Sequence, residues 1–375
     1  MNQKTIYLIS AAGSPNFGDE LITLAWLKRL RKERPGDRLV IDCHNPAFFS
    51  ILLHRYSWGE GIVVTDLCWR AAHRAGRHGV YDGMKTQKPL LYSDYSNAYD
   101  DIKWAMTSLS GEFEAVHLLG GGYISDRWPD NLLLPMVAEW LAKQKGARLF
   151  ATGAGIFVSN FPLMFDVASS FQAFDYISVR DTISLQTLSQ IGVKAVSEPD
   201  DVVLCLPPGP SHGGNGVALN VQLDQFSADE YARLSMRIAE QFAAENSKIF
   251  ALDLYPSVDT AFAKIATSSF ADVEFISIET VLDAIINENW DQQFWGVGNR
   301  AVGSRYHFHY VWSWLGSTGS FVSADQYYSV KHSEVTSIGS KWGRHPNVGA
   351  IPSINRMTLM DQKNREFRLL YGSGT

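Results

Sequence analysis

Short runs of apolar and β-branched residues alternate along this chain with longer stretches of helical period, and glycine marks many of the junctions. Parallel strands need a crossover of a dozen or more residues between them, most often an amphipathic helix. The alternation therefore specifies α/β units built on parallel sheets. Ile6 to Ala11 reads as the first strand, and Gly13-Ser14-Pro15-Asn16-Phe17-Gly18-Asp19 as the turn after it. Leu21, Ile22, Leu24, Ala25, Leu27 and Leu30 then form the apolar stripe of a helix that reaches about Arg34, acidic at its start and basic toward its end.

The rhythm continues. Strands are predicted at Leu39–Cys43, Val116–Leu119, Arg148–Thr152 and Tyr176–Val179, with helices at Met136–Lys145 and Thr182–Ile191, the latter stopped by Gly192. Pro207-Pro208-Gly209-Pro210-Ser211-His212-Gly213-Gly214 suits neither helix nor strand and reads as a linker. Beyond it the pattern restarts, with strands at Gly216–Val221, Ile249–Tyr255, Val273–Ile278 and Ser320–Ser323. Helices are predicted at Ala228–Ala244, Val258–Thr267 and Thr280–Asn287, and another where the chain runs from Gly303-Ser304-Arg305-Tyr306-His307 through Leu315. The 375 residues, enough for two or three domains, thus resolve into two: 1–206, a linker at 207–214, and 215–375. The fold class is α/β, two Rossmann-like domains facing a cleft, with ligands placed at the carboxyl ends of the strands.

One stretch breaks this order. Residues 45–112 carry Trp58, Trp69, Tyr81, Tyr92, Tyr95, Tyr99 and Trp104 with little period, and are predicted to be an aromatic insertion shaping one wall of the cleft. Flat apolar rings suit the faces of sugars, so Trp58, Trp69 and Tyr95 are candidate sugar-stacking residues.

Composition narrows the function classes. With 46% hydrophobic residues the chain is not disordered, and a net charge of −6 argues against nucleic acid or an anionic membrane as the main partner. Cys43, Cys68 and Cys205 have no paired spacing, which excludes a disulfide scaffold and a cysteine zinc site and fits a reducing compartment. No apolar run approaches the ~18 residues of a membrane span, and Thr5 to Ala12 is too short for a signal peptide. A cytoplasmic protein with no transmembrane segment is predicted, peripheral membrane contact being left open.

Three places carry chemistry. Gly120-Gly121-Gly122 follows a strand and lets backbone N–H groups come close to an anion or a sugar, or simply makes a tight turn. It is neither G-x-G-x-x-G nor a Walker loop. Arg180 stands at a strand-to-helix junction, where a guanidinium either lies in solvent beside a cap or grips a carboxylate or phosphate. Gly303-Ser304-Arg305-Tyr306-His307 repeats that placement and adds a group able to move a proton. His309 makes an H-x-H pair with His307. Residues two apart on a helix diverge, and no acidic or cysteine partner is near, so no metal is predicted.

In order along the chain stand N-x-G-D at Asn16 to Asp19, G-G-G at Gly120 to Gly122, and G-x-G at Gly153 and Gly155. S-V-R-D at Ser178 to Asp181, S-R-x-H at Ser304 to His307 and Y-x-x-K at Tyr328 to Lys331 follow. Each motif is short, but the ordered set spans nearly the whole chain and resembles the polysaccharide pyruvyl transferase family. The resemblance implies a two-domain, glycosyltransferase-B-like enzyme that uses phosphoenolpyruvate to place a cyclic pyruvate ketal on a sugar of a bacterial surface or exopolysaccharide. It implies donor binding by Arg180, Arg305, Tyr306 through its backbone, and Lys331. His307 is implied in proton transfer, and Asn16, Gly18, Asp19 and the glycines in cleft loops. No cofactor is implied beyond phosphoenolpyruvate as co-substrate, and the saccharide acceptor could be lipid-linked or nucleotide-linked. Two departures stand out: Asp200-Asp201-Val202 replaces a D-P-A-like turn, and Pro15 enters the first glycine turn. A nucleotide-sugar glycosyltransferase of the same architecture and a catalytically silent saccharide-binding protein are the alternatives.

Overall fold

Every strand pairing among the described residues is parallel, as the crossover rhythm requires. The computed structural model describes residues 3–75, 109, 111–158, 168–243, 247–256, 258–260, 262, 264, 270 and 272–372. The chain divides into two compact units. The first comprises Met1–Ser14, Ile22–Asp201 and Gln362–Thr375, and the second Pro15–Leu21 and Val202–Asp361.

The first unit holds β1 (Thr5–Ile9), β2 (Arg38–Asp42), β3 (Ile62–Thr65), β4 (Phe113–Leu118), β5 (Gly121–Ser125), β6 (Arg148–Phe157), β7 (Tyr176–Val179) and β8 (Val196–Ser197). They lie in the order β3-β2-β1-β4-β6-β7-β8, with β5 paired to β6. Its helices are most of α1 (Phe17–Glu33), α2 (Pro46–Arg55), α3 (Leu67–Ala75), α4 (Leu134–Lys145) and α5 (Thr182–Gln190). All five residues of β1 are buried, because a central parallel strand is covered on both faces.

The second unit holds β9 (Val217–Asn220), β10 (Ile249–Asp253), β11 (Val273–Ser277), β12 (Arg300–Gly303), β13 (Thr318–Phe321) and β14 (Gly343–Arg344), ordered β11-β10-β9-β12-β13-β14. Around them are α6 (Ala228–Ala243), α7 (Ile278–Ile286), α8 (Tyr306–Leu315), α9 (Gln326–Ser337) and the start of α10 (Arg356–Tyr371). In both sheets the order reverses beside the first strand, so the switch points lie between β1 and β4 and between β9 and β12.

Several predicted boundaries move. Residues 45–75 are not an insertion but ordinary α/β structure. Asn45 caps α2 by accepting from the Phe48 N–H at 3.2 Å, Pro46 fits the first turn, and β3 extends the sheet beyond β2. The rest of that stretch, except 109 and 111–112, lies outside the described residues, as does half of the helix predicted at 258–267. The strand predicted to stop at Thr152 continues as β6 through Gly153-Ala154-Gly155. The segment 207–214, read as a linker, is packed against the second unit. Pro207 O accepts from the Trp314 indole at 2.8 Å, and a Cβ on Gly213 would meet Trp295 O at 1.9 Å. Residues 362–375, predicted with the second domain, group with the first unit, and residues 15–21, predicted with the first, group with the second.

Candidate active site

The β9–β12 switch point of the second unit gathers the S-R-x-H residues. A side chain on Gly303 would strike the Phe308 ring at 2.3 Å, so the end of β12 must be glycine for α8 to pack where it does. The Ser304 N–H donates to Asn220 O at 2.9 Å, and Ser304 Oγ accepts the Gln222 N–H at 2.8 Å, pinning the ends of β12 and β9 together. Arg305 follows in extended conformation at the head of α8. Its guanidinium forks onto Asp259, Nε to Oδ2 at 2.6 Å and Nη2 to Oδ1 at 2.7 Å, and stacks 5.1 Å from the Tyr255 ring. Asp259 is fully buried and also accepts from Asn220 Nδ2 at 2.8 Å and the Leu254 N–H at 3.2 Å.

The sequence leads one to expect the fork of Arg305 on a ligand. The structure gives that fork to Asp259, and Nη1 takes no acceptor among the described residues. Such a guanidinium is oriented by the protein and can offer its remaining edge outward.

His307 is buried in the first turn of α8, its ring edge-on to Tyr306 at 4.8 Å. The start of α1 lies against it. Asn16 Oδ1 accepts the Gly18 N–H at 3.3 Å and Asn16 O accepts the Glu20 N–H at 3.0 Å, while the Phe17 N–H donates to Leu254 O at 3.0 Å. Asn16, Gly18 and Asp19 thus fall in the same unit as Arg305, Tyr306 and His307.

Lys331 on α9 is hydrogen-bonded to the Tyr327 hydroxyl, its ammonium 3.9 Å above the Tyr327 ring. The neighbouring His332 donates through Nε2 to Ser304 O at 3.1 Å, which ties α9 to the Arg305 loop. That bond also sets a direction. His332 Nδ1 must accept, so His309 Nδ1 donates to it at 3.0 Å, and His309 Nε2 accepts from the Ser340 hydroxyl at 2.5 Å. Burial holds the His332 imidazole down at about 3 and that of His309 well below its ordinary range, so both are neutral. His309 is a packed histidine, not a ligand.

The first unit holds the remaining candidates. Arg180 is neither solvent-exposed nor open-handed, since Nη1 meets Asp200 Oδ2 at 2.7 Å in a pair whose side chains are 3% and 0% exposed. Gly155 makes room for it: a Cβ there would sit 3.0 Å from Arg180 Nε.

Gly120 and Gly153 make room for a carboxylate of the chain itself. A Cβ on either would lie 2.8 Å from an oxygen of Asp201. That oxygen pair accepts the Gly120 N–H at 3.1 Å, Thr152 Oγ1 at 2.8 Å, Trp26 Nε1 at 2.8 Å and Lys363 Nζ at 2.7 Å. The anion reached by the Gly120 amide is therefore internal, and Gly121 and Gly122 open β5. Asp200 and Asp201, the departure noted in the sequence, are the partners of the arginine and of the glycine loops.

Of the acceptor candidates, Trp69 is a core residue, 4% exposed, its indole bonded to Ser10 O at 2.7 Å. Trp58 is half-buried with its ring 5.3 Å from that of Tyr56, and Tyr95 lies outside the described residues, as do Tyr81, Tyr92, Tyr99 and Trp104. Three site residues escape sequence reasoning: Asp259, Asp200 and Gln222. The first two are 46 and 20 residues from their arginines, too far for any spacing rule. Gln222, at the end of β9, is 5% exposed and buries Oε1 without a partner.

No curated protein sequence matches this chain. Among solved structures it is similar to the UDP-GlcNAc 2-epimerase of Neisseria meningitidis bound to UDP-GlcNAc, at 9% identity and a TM-score of 0.54 over 99% of this chain and 93% of that one. The UDP-GlcNAc 2-epimerase of Methanocaldococcus jannaschii gives 10% and 0.53 over 98% and 99%. At such identities the likeness shows the fold alone: two Rossmann-like domains of the glycosyltransferase-B kind. The family model of the polysaccharide pyruvyl transferases matches residues 16–278, and the chain belongs to that family of transferases. The match includes Asn16, the glycine loops and Arg180, and ends before Arg305.

Proposed function

We propose that this enzyme transfers the pyruvyl group of phosphoenolpyruvate to two hydroxyls of a saccharide destined for a bacterial surface polysaccharide. The observation that carries the reading is the pairing, at one strand-end loop, of a protein-oriented arginine with a histidine two residues on. Phosphoenolpyruvate is small and strongly anionic, so it needs oriented cations and one proton-transfer group. Arg305 and His307 are such a pair, and Arg180 and Lys331 are further candidates for the donor's charges.

The chemistry balances as follows. One sugar hydroxyl adds through oxygen to C2 of the enol phosphate while a proton reaches the C3 methylene, making a methyl group. The second hydroxyl then adds to C2 as the C2–O bond to phosphate breaks. Two C–O bonds and one C–H bond form, two O–H protons are given up, and inorganic phosphate leaves with the second. His307 moves the proton, a role that contributes about 10²- to 10⁴-fold. Arginine stabilises the departing phosphate charge. We further propose that the reaction needs no metal, the arginines and Lys331 supplying the positive charge.

Calorimetry with phosphoenolpyruvate and with a panel of nucleotide sugars tests the donor. Mass spectrometry of a reaction with a repeat-unit oligosaccharide tests the transfer. Phosphoenolpyruvate should bind and the saccharide should gain pyruvate, unchanged by a chelator. Binding of a nucleotide sugar with no response to phosphoenolpyruvate would overturn the proposal. His307→Ala should lower kcat by about 10²-fold or more while donor affinity holds.

A further inference from the structure

Gly18 lies in the first turn of α1, and the atoms nearest to where its side chain would be all belong to His307. A Cβ there would lie 1.7 Å from Nδ1, 2.5 Å from Cε1 and 2.6 Å from Cγ. No methyl group can share that space with the ring, so the imidazole is seated directly on the backbone of Gly18.

Both parties to this contact hang from one hydrogen-bonded frame. The Phe17 N–H is held by Leu254 O, the Leu254 N–H by Asp259, and Asp259 by the fork of Arg305, two residues before His307. Phe17 also meets Trp312 of α8 edge-on at 6.4 Å. The turn before α1 is closed by Asn16, which takes the Gly18 and Glu20 amides. The nearest obstacle to a side chain at Gly18 is the ring that rests on it. Elsewhere in a helix, glycine is a cost relative to alanine.

We propose that Gly18 is a positioning residue: the bare backbone at the start of α1 is the seat that fixes the His307 imidazole for proton transfer. The kinetic part rests on the phosphoenolpyruvate reading, and the placement of the ring does not. A ring displaced by about 1 Å is enough to lose most of its catalytic effect.

A double-mutant cycle between Gly18→Ala and His307→Ala tests this, read by thermal melting, by kcat and by calorimetry of phosphoenolpyruvate. Gly36→Ala serves as control, since a Cβ there meets nothing within 4 Å. Gly18→Ala alone should lower the melting temperature and reduce kcat by about 10²-fold, with phosphoenolpyruvate affinity kept within about twofold. Once His307 is alanine, adding Gly18→Ala should cost no further kcat and should raise the melting temperature, because the ring is gone and alanine favours the helix. A fall in melting temperature of the same size in both backgrounds, or a wild-type kcat in Gly18→Ala, would overturn the proposal. If Gly18→Ala fails to fold, recovery of folding in the double variant supports it and continued failure defeats it. A wild-type protein that ignores phosphoenolpyruvate would sink the donor reading, while the melting cycle would still decide the role of Gly18.

Discussion

Both arginines marked for an anion are already paired inside the protein, which changes what their removal means. Alanine at Arg180 takes away the cation paired with the buried carboxylate of Asp200, and alanine at Arg305 the one paired with Asp259. Breaking a buried pair from one side costs about 3–5 kcal/mol. Arg305→Lys is the better probe, because it keeps a cation near Asp259 and loses the planar fork. It should remain folded by circular dichroism while its phosphoenolpyruvate affinity falls by at least about tenfold, roughly 1.4 kcal/mol. Gln222 predicts in the other direction. Its buried Oε1 has no partner, and an unpaired buried acceptor costs about 1–3 kcal/mol, so Gln222→Met should raise the melting temperature. An unchanged or lower melting temperature would mean that the carboxamide is satisfied after all.

At the scale of elements, the glycine loops of the first unit are shaped by Asp201. Gly120→Ala and Gly153→Ala each force a methyl group to within 2.8 Å of its carboxylate, and Gly153 also has φ +52°. Each should destabilise by about 1–3 kcal/mol in urea unfolding, and Gly146→Ala, a helix C-cap glycine in open space at φ +60°, by less. The strand and helix pattern that carries these loops was legible because periodicity is local. Ile6 to Ala11, the stripe from Leu21 to Leu30 and the stop at Gly192 all appear near where they were read. The run from α2 to α3 is not legible, since Trp58 and Trp69 fall in a stretch with little period and β3 is only four residues long. Trp69 belongs to the core because its indole finds Ser10 O, which no spacing announces. The site divides in the same way. Arg305 and His307 could be read from a junction, whereas Asp259 and Gly18 reach them only through the fold.

At the scale of the whole molecule, buried neutral imidazoles set the acid limit. Burial holds His117 and His332 at about 3 against an ordinary 6.5, so the unfolded chain takes up their protons first. Their contribution is complete above pH 6.5 and is withdrawn as pH falls toward 3, by ~1.4 kcal/mol per pH unit each. Asp42 works the opposite way. Burial raises its carboxyl to about 7 from 3.8, so it adds stability as pH falls through that window and offsets one of the two histidines. His309, also depressed by burial, adds to the loss. Melting temperature should therefore decline steadily from pH 6.5 to 4, and Asp42→Asn should steepen that decline. A flat profile would contradict neutral burial of the histidines.

Residues 362–375 belong to the first unit, where the Lys363 ammonium meets Asp201 at 2.7 Å and Glu366 at 2.5 Å, in a cluster sealed from water. The order of synthesis then matters. While the chain emerges from the ribosome, the first unit waits for a segment made after the entire second unit, holding Asp201 without its cation throughout. A premature stop just before Lys363 releases a single chain whose second unit is whole and whose first unit carries an unpaired charge at its centre, fit for degradation rather than partial activity.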